Sequence, residues 1–428
     1  MDNRSLSRRT FLGGTSATVA SAAFAPYLAA RNPRPGGAEM LRVGLVGCGG
    51  RGGGAASDAL HADANVKLVA MGDVFADHLE AKHKELLQED GLAGKIDVPP
   101  ERRFVGFDAY QKVIEASDVV LLCTTPHFRP LHMRAAVEAG KHLFVEKPVA
   151  VDAPGVRSVL ESARMAREKK LNVVSGLCYR YMFAKQAVME RVHGGDIGEI
   201  VAMETTYNTG ALWHRGRKPE WSDMEWQIRN WLYFTWLSGD HIAEQHIHSL
   251  DKIAWAMKDE SPVKATSSGG RVQRVDPMYG NVYDHFNTVF EWKNGVRAFS
   301  SCRQWTDAST DVSDHVYGTN GVAHLQEHKI RGPKAWSWRD KQNEPDDMYR
   351  NEHVALFAAI RADKVIDNSQ YMANSTLMAI QARMAAYTGQ TITWEQALNS
   401  TEDLSPKGYA WGSAPVARIS IPGVTKFA

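Results

Sequence analysis

Glycines crowded behind an apolar strand restrict this chain more than any other feature. Residues 41–60 read "LRVGLVGCGGRGGGAASDAL": a continuous apolar run from Leu41 to Val46, a glycine turn, and the start of an Ala-rich helix. Gly47, Gly49 and Gly52 stand in G-x-G-x-x-G spacing, and Asp73 follows Gly52 by 21 residues, at the end of a second apolar run, "VKLVAMGD". Each part has a physical task. Gly47 permits the tight turn, Gly49 lets the main chain approach a pyrophosphate, and Gly52 lets helix and strand pack closely while the helix N-terminus faces the anion. Asp73 is expected to accept hydrogen bonds from an adenosine ribose and to repel a 2′-phosphate, which favours NAD over NADP. Gly50 and Arg51 lie in the same turn and join the expected cofactor contacts.

Strands and helices continue to alternate. "DVVLLC" reads as a buried strand, "RPLHMRAAVEAG" as a helix ending at Gly140, and "KHLFVEKP" as the next strand; the helix "VRSVLESARMAREKK" then precedes "LNVVSG". Such alternation implies a parallel sheet with its ligands at the carboxyl ends of the strands. "TTPHF" and "EKP" occupy such ends. Thr124, Thr125, Pro126, Glu146 and Lys147 are therefore expected at the cofactor, with His132 on the helix between them.

The succession of GxGxxG, Asp73, "TTP", "AGKHLFVEKP" and "GLCYRY" resembles the Gfo/Idh/MocA superfamily of glucose-fructose oxidoreductase and inositol dehydrogenase, from about Leu41 to Leu398. The resemblance implies an α/β fold. An N-terminal Rossmann domain with a doubly wound parallel sheet would precede a C-terminal α/β domain on a large open, mostly antiparallel sheet. The expected boundaries are a leader and linker over 1–40, the NAD-binding domain over 41–165, the substrate and oligomerisation domain over 166–399, and an extended tail over 400–428, which is expected to wrap a neighbour. The resemblance further implies NAD-dependent oxidation of a sugar or cyclitol by a homo-oligomer, dimer or tetramer.

Oxidising a secondary alcohol needs a hydride acceptor and a base within reach of the hydroxyl. Lys147, restricted by Pro148, is one candidate, and the family usually assigns its lysine here to catalysis. The second comes from "GDHIAEQHIHSLD", residues 239–251. In the family register an Asp and a His stand four residues apart on a helix; here Glu244 and His248 hold those positions, with Glu in place of Asp. Helical spacing puts positions 240, 244, 248 and 251 on one face and turns His246 away. Glu244 and His248 are the expected catalytic partners of Lys147, with either His248 or Lys147 as the base. Tyr179 and Arg180 in "GLCYRY", Trp213 and His241 are expected to contact substrate. No HExxH or comparable ligand spacing occurs and the chemistry requires no metal, so none is expected. The Trp-rich stretch 213–236, with five of the twelve tryptophans, reads equally as a sugar-stacking surface or as packing.

The 50 Lys and Arg against 49 Asp and Glu give no basic field for nucleic acid or a membrane surface. The four cysteines stand apart, without CxxC or a close pair, and read as core residues rather than zinc ligands or a disulfide framework. "SRRTFLGG" near the N-terminus resembles a twin-arginine export signal, which implies a periplasmic or otherwise extracytoplasmic protein, anchored to the membrane if the signal stays uncleaved. Outside the cytoplasm soluble NAD is not recycled, so the cofactor is expected to be held tightly. Two other readings stay open: redox-neutral glycoside cleavage through transient C3 oxidation, and a non-catalytic sugar-binding protein with structural NAD.

Overall fold

In the computed structural model of the chain, residues 39–339 and 346–428 are described; the expected export signal lies outside them. Six short strands form the first sheet: β1 (Leu41–Val46), β2 (Val66–Asp73), β3 (Arg103–Val105), β4 (Val119–Leu122), β5 (His142–Val145) and β6 (Val173–Ser175). They run parallel in the order β3-β2-β1-β4-β5-β6. The chain builds outward from β1 to β3, then crosses to β4 on the other side of β1. That reversal opens a crevice above the carboxyl ends of β1 and β4, where the glycine turn and "TTP" both lie. Strands β1, β2, β4, β5 and β6 are mostly apolar and buried because helices cover both faces, whereas the edge strand β3 has no buried residue. The first sheet extends through β6, past the expected domain boundary at residue 165.

The second sheet contains β7 (Ile200–Thr209), β8 (Lys264–Gly270), β9 (His285–Glu291), β10 (Arg297–Gln304), β11 (Asp311–Gly318), β12 (Val322–His324), β13 (Lys329–Arg331), β14 (Trp336–Ser337) and β15 (Ile392–Thr393). Its order is β14-β13-β12-β11-β7-β10-β9-β8-β15. Only the β7–β10 pair is parallel, so the sheet is mostly antiparallel. β9 and β10 meet at the Lys293–Gly295 turn, and their side chains alternate: Phe286, Phe290, Ala298 and Cys302 face a helical layer, whereas Phe299 on the other face is 51% exposed.

Two late helices tie the halves together. Met348–Arg361 carries Leu356, Phe357 and Ile360 into the core of the first sheet, not into a layer over the second. Its sequence shows the apolar stripe but cannot show which surface that stripe meets. Ser369–Thr388 is buried on nearly all sides and serves both cores, with Met372, Leu377 and Ile380 in one and Met378, Ala382 and Ala386 in the other. The tail after Ser400 folds onto its own chain: Tyr409 bonds His127, and Tyr283 donates to the carbonyl of Ser420.

The helix Ile247–Ala256 is pinned to β11 by an ion pair between Lys252 and Asp314, both fully buried, with Thr205 donating to the same carboxylate. A buried charge stripped of its partner is costly. Replacing Lys252 with Met is expected to lower unfolding free energy by about 3–5 kcal/mol in urea denaturation. Lys252→Met combined with Asp314→Leu should recover most of that loss, since no unpaired charge then remains.

Candidate functional site

The glycine turn packs as its spacing predicts. Gly47 has φ +97°, and a Cβ there would come within 2.7 Å of the main chain of Cys123 and Thr124, because β1 and β4 leave the sheet side by side. A Cβ on Gly52 would lie 1.8 Å from the Gly47 carbonyl oxygen. Gly49 and Gly50 differ: a Cβ at either would meet no protein atom within 4 Å. Their open side faces a cleft of about 590 Å³, and the helix Gly50–Ala62 begins there without a side-chain cap, leaving its first N–H groups for an anion.

Asp73 closes one end of this cleft. Its Oδ2 accepts from the Cys48 N–H at 2.6 Å and its Oδ1 from the Phe75 N–H at 2.8 Å, which fixes the carboxylate and leaves lone pairs for ribose hydroxyls. Burial raises its pKa, against those two main-chain donors. Thr124 and Thr125 line the middle of the cleft. His132 stands beside Thr124 at 3.3 Å and stacks on Tyr110, and burial holds its pKa down to about 3, so the ring is neutral. Pro126 opens the short turn Pro126–Phe128 and is not on the cleft wall. Arg51 reaches across to Glu146 (2.5 Å) and lies over the Tyr349 ring.

The second half of the site starts at a broken helix. Asp240, at φ +71°, starts a single turn, His241–Glu244, and the longer helix begins only at Ile247. The break leaves the Glu244 carbonyl without its ordinary helical donor, because the His248 N–H turns to Gln245 O. Lys147 Nζ takes that carbonyl at 2.6 Å. Glu244 therefore holds Lys147 through its main chain, while its carboxylate stands in the cleft with a shielded Oε2 that has no partner. His248 also faces the cleft, its Nδ1 shielded and unpartnered. Burial, reinforced by Lys147 and Lys252, keeps the His248 pKa well below the ordinary 6.5, so its ring is neutral. Arg129 braces this corner by donating to the carbonyls of Thr124 and Pro148, tying the ends of β4 and β5.

Lys147, Glu244, His248 and Trp213 thus share one wall system with Gly47, Gly49, Gly50, Arg51, Gly52, Asp73, Thr124, Thr125, His132 and Glu146. Besides Pro126, three expectations require correction. Arg180 does not reach the cleft: its guanidinium pairs with Asp251 and Asp259 and stacks on Tyr371, each of its three nitrogens donating to those carboxylates. His241 is buried between Asp240 and Cys302 and faces away. Tyr179 stands behind His248, edge-on at 5.4 Å, rather than on the cleft wall. The helix break underlies the related misplacement of Asp240 and Asp251, which bond Tyr387 and Arg180 instead of sharing a face with Glu244. His246 bonds Ser300 in the interior. Sequence reasoning missed Arg129, Tyr349, Phe75 and Arg229. Arg129 adjoins "TTPHF" and lay within the strand-end argument; the others carry no motif.

A model of the oxidoreductase family with an NAD-binding Rossmann fold matches residues 41–176, and a model of the GFO/IDH/MocA C-terminal domain matches residues 186–324. The chain belongs to the GFO/IDH/MocA family. It is an NAD-dependent oxidoreductase of CH–OH groups, and the open glycines, the uncapped helix start and the anchored Asp73 fit that cofactor. Inositol 2-dehydrogenase of Cereibacter sphaeroides is 26% identical over 291 residues, 67% of this chain and 74% of that protein. A glycosyl hydrolase family 109 protein of Streptomyces coelicolor is 28% identical over 59% of this chain and 54% of its own. A levoglucosan dehydrogenase solved with NADH and levoglucosan has the same fold, with a TM-score of 0.63 at 15% identity over 83% of this chain and 99% of that one. Among the described residues of this GFO/IDH/MocA chain, no three His, Cys, Asp or Glu side chains gather as a metal site requires.

The glycines separate packing from ligand approach. Gly49→Ala should fold with nearly unchanged thermal stability yet bind NAD at least about tenfold more weakly by titration calorimetry, because its methyl group meets only the ligand. Gly52→Ala should instead lower the melting temperature, since its methyl group overlaps the Gly47 carbonyl.

Proposed function

We propose that this enzyme oxidises a secondary hydroxyl of a sugar, glycoside or cyclitol and keeps its NAD between turnovers. The observation that carries the reading is the meeting of Lys147, Glu244 and His248 on the same cleft as the glycine turn. NAD, when bound on the glycine turn, would supply the acceptor for the hydride of the carbinol carbon. His248, neutral, accepts the hydroxyl proton as the C=O bond forms. Lys147, braced on the Glu244 carbonyl, donates to the same oxygen, and the free Glu244 carboxylate accepts from a neighbouring hydroxyl. A polyol supplies both groups; a simple alcohol does not. Trp213 offers an aromatic face to the sugar ring, and Tyr179 steadies the His248 ring from behind.

Retention of the cofactor is supported by the segment around Arg229 and Trp231, which covers the Asp73 end of the cleft. It agrees with export: we read Arg8 and Arg9 in "SRRTFLGG" as a twin-arginine signal, the route that carries folded, cofactor-loaded proteins. Accumulation in the cytoplasm after Arg8→Lys/Arg9→Lys, against a periplasmic wild type, tests that reading. Assembly into a dimer or tetramer through the open face of the second sheet is the matching proposal for oligomeric state; a monomer in sedimentation would refute it. A second catalytic reading, redox-neutral glycoside cleavage, is supported by the likeness to a family 109 glycosyl hydrolase. The two separate on one assay. Release of an aglycone without net NADH favours cleavage, whereas oxidised free sugar with reduced bound nucleotide favours dehydrogenation; a preparation that neither carries nor binds NAD would exclude both.

Because His248 has a lowered pKa, it gains its proton only well below pH 6.5. kcat/KM should therefore be insensitive to this group from pH 6.5 upward and fall only under more acidic conditions. His248→Gln should abolish that acidic limb and cost about 10²–10⁴ in kcat/KM. An acidic limb above pH 7 that persists in the variant would move the role of base to another group.

A further inference from the structure

The Asp73 end of the cleft is closed by residues that no sequence motif marks. Phe75 and Phe107 extend the Rossmann wall, and opposite them stand Ile228, Arg229 and Trp231, contributed by the second half of the chain. Arg229 joins the two sides. Its guanidinium pairs with Asp77 at the start of a Rossmann helix (3.0 and 3.1 Å), is held from behind by Glu225 at 2.9 Å, and lies 3.9 Å over the Phe75 ring.

The tail then ties this roof down. It leaves the body at Ser400 and returns to its starting point, where the Thr401 N–H donates to the Ala428 carbonyl at 3.2 Å. Between those ends Tyr409 bonds His127 Nε2 at 2.8 Å, and Trp411 stacks on Phe75 (5.5 Å, 21°) and tilts against Phe107 at 5.0 Å. Two anchors follow on the helix that carries Arg229: the Met224 main-chain N–H donates to Gly412 O, and the Gln227 side-chain amide to Ala414 O. Phe75 therefore meets the Arg229 guanidinium and the Trp411 indole, which come from separate parts of the chain.

We propose that residues 400–428 form a latch that retains the adenosine half of NAD, with Trp411 and Tyr409 as positioning residues acting through Phe75, Phe107 and the Arg229 segment. The inference rests on the reading above that NAD is the resident cofactor. For the nucleotide to leave at this end, the Arg229–Trp231 segment must lift, and it cannot lift until the tail releases Gly412 and Ala414. Neither Trp411 nor Tyr409 lines the cleft, so each bears on the residence time of the nucleotide and not on the reacting atoms.

The full-length protein purified without added nucleotide tests this. Wild type should retain NAD through gel filtration, measured by chromatography of nucleotide released on denaturation. Trp411→Ala should lose it and show dissociation of NADH at least about tenfold faster, followed by the decay of energy transfer from tryptophan to NADH after a chase. Trp411→Phe should restore much of the residence time. Tyr409→Phe, which removes only the bond to His127, should raise the dissociation rate by a smaller factor, and serves as the deciding variant if Trp411→Ala does not fold. Folded variants that release NADH at the wild-type rate would overturn the latch while leaving NAD chemistry intact. A wild type that binds no nucleotide would instead overturn the underlying reading.

Discussion

The hydrogen bond from Lys147 Nζ to the Glu244 carbonyl joins the two halves of the site, and the proposed chemistry is built around it. It exists because the helix breaks after Glu244. In an unbroken helix that carbonyl would accept from the His248 N–H, and Lys147 would have to engage the Glu244 carboxylate or stand free. The break thus separates two tasks within one residue. The main chain of Glu244 orients the lysine, and its side chain remains in the cleft. A carboxylate on a longer arm suits that arrangement, which gives a physical account of Glu in place of the family's usual Asp.

Electrostatics around this bond favour a defined division of labour. His248 and His132 are held neutral by burial, so neither opposes the positive charge that oxidised nicotinamide brings. Arg129, its pKa pushed down to about 10 by burial, spends its donors on two main-chain carbonyls and makes the ends of β4 and β5 a rigid corner. Further from the chemistry, Asp240 and Asp251 serve the scaffold. Asp240 caps the strained turn before Glu244 and bonds Tyr387 and Tyr283, and Asp251 holds Arg180. The histidines and carboxylates of one thirteen-residue stretch thus divide between cleft and core, according to where the helix breaks.

The roof over the Asp73 end explains the tryptophans of 213–236. Trp213 and Trp231 reach the cleft, whereas Trp221, Trp226 and Trp236 build the aromatic cluster that supports the roof from outside. Of the two equal readings, sugar-stacking surface or packing, most of the segment takes the second, and the packing is against the cofactor domain of the same chain.

The local part of the site is written into the order of residues. The glycine spacing, the apolar strands and the strand-end "TTP" and "EKP" prescribe a Rossmann crevice, because they depend on turn geometry and on contacts between chain segments whose order constrains their neighbours. Lys147, Glu244 and His248 were legible in the same way, through a strand end and a four-residue spacing. The other contacts depend on segments distant in the chain. Arg180 looked available until Asp251 and Asp259, far along the chain, consumed its donors, and His241 lost the cleft to a helix break invisible to regular spacing. Nor could a stripe of Leu356, Phe357 and Ile360 name its partner, or a tail with Tyr409 and Trp411 reveal that it closes over Phe75. Periodicity reports that a surface will be buried; which surface buries it is settled by long-range packing, where many segments compete for the same apolar contacts.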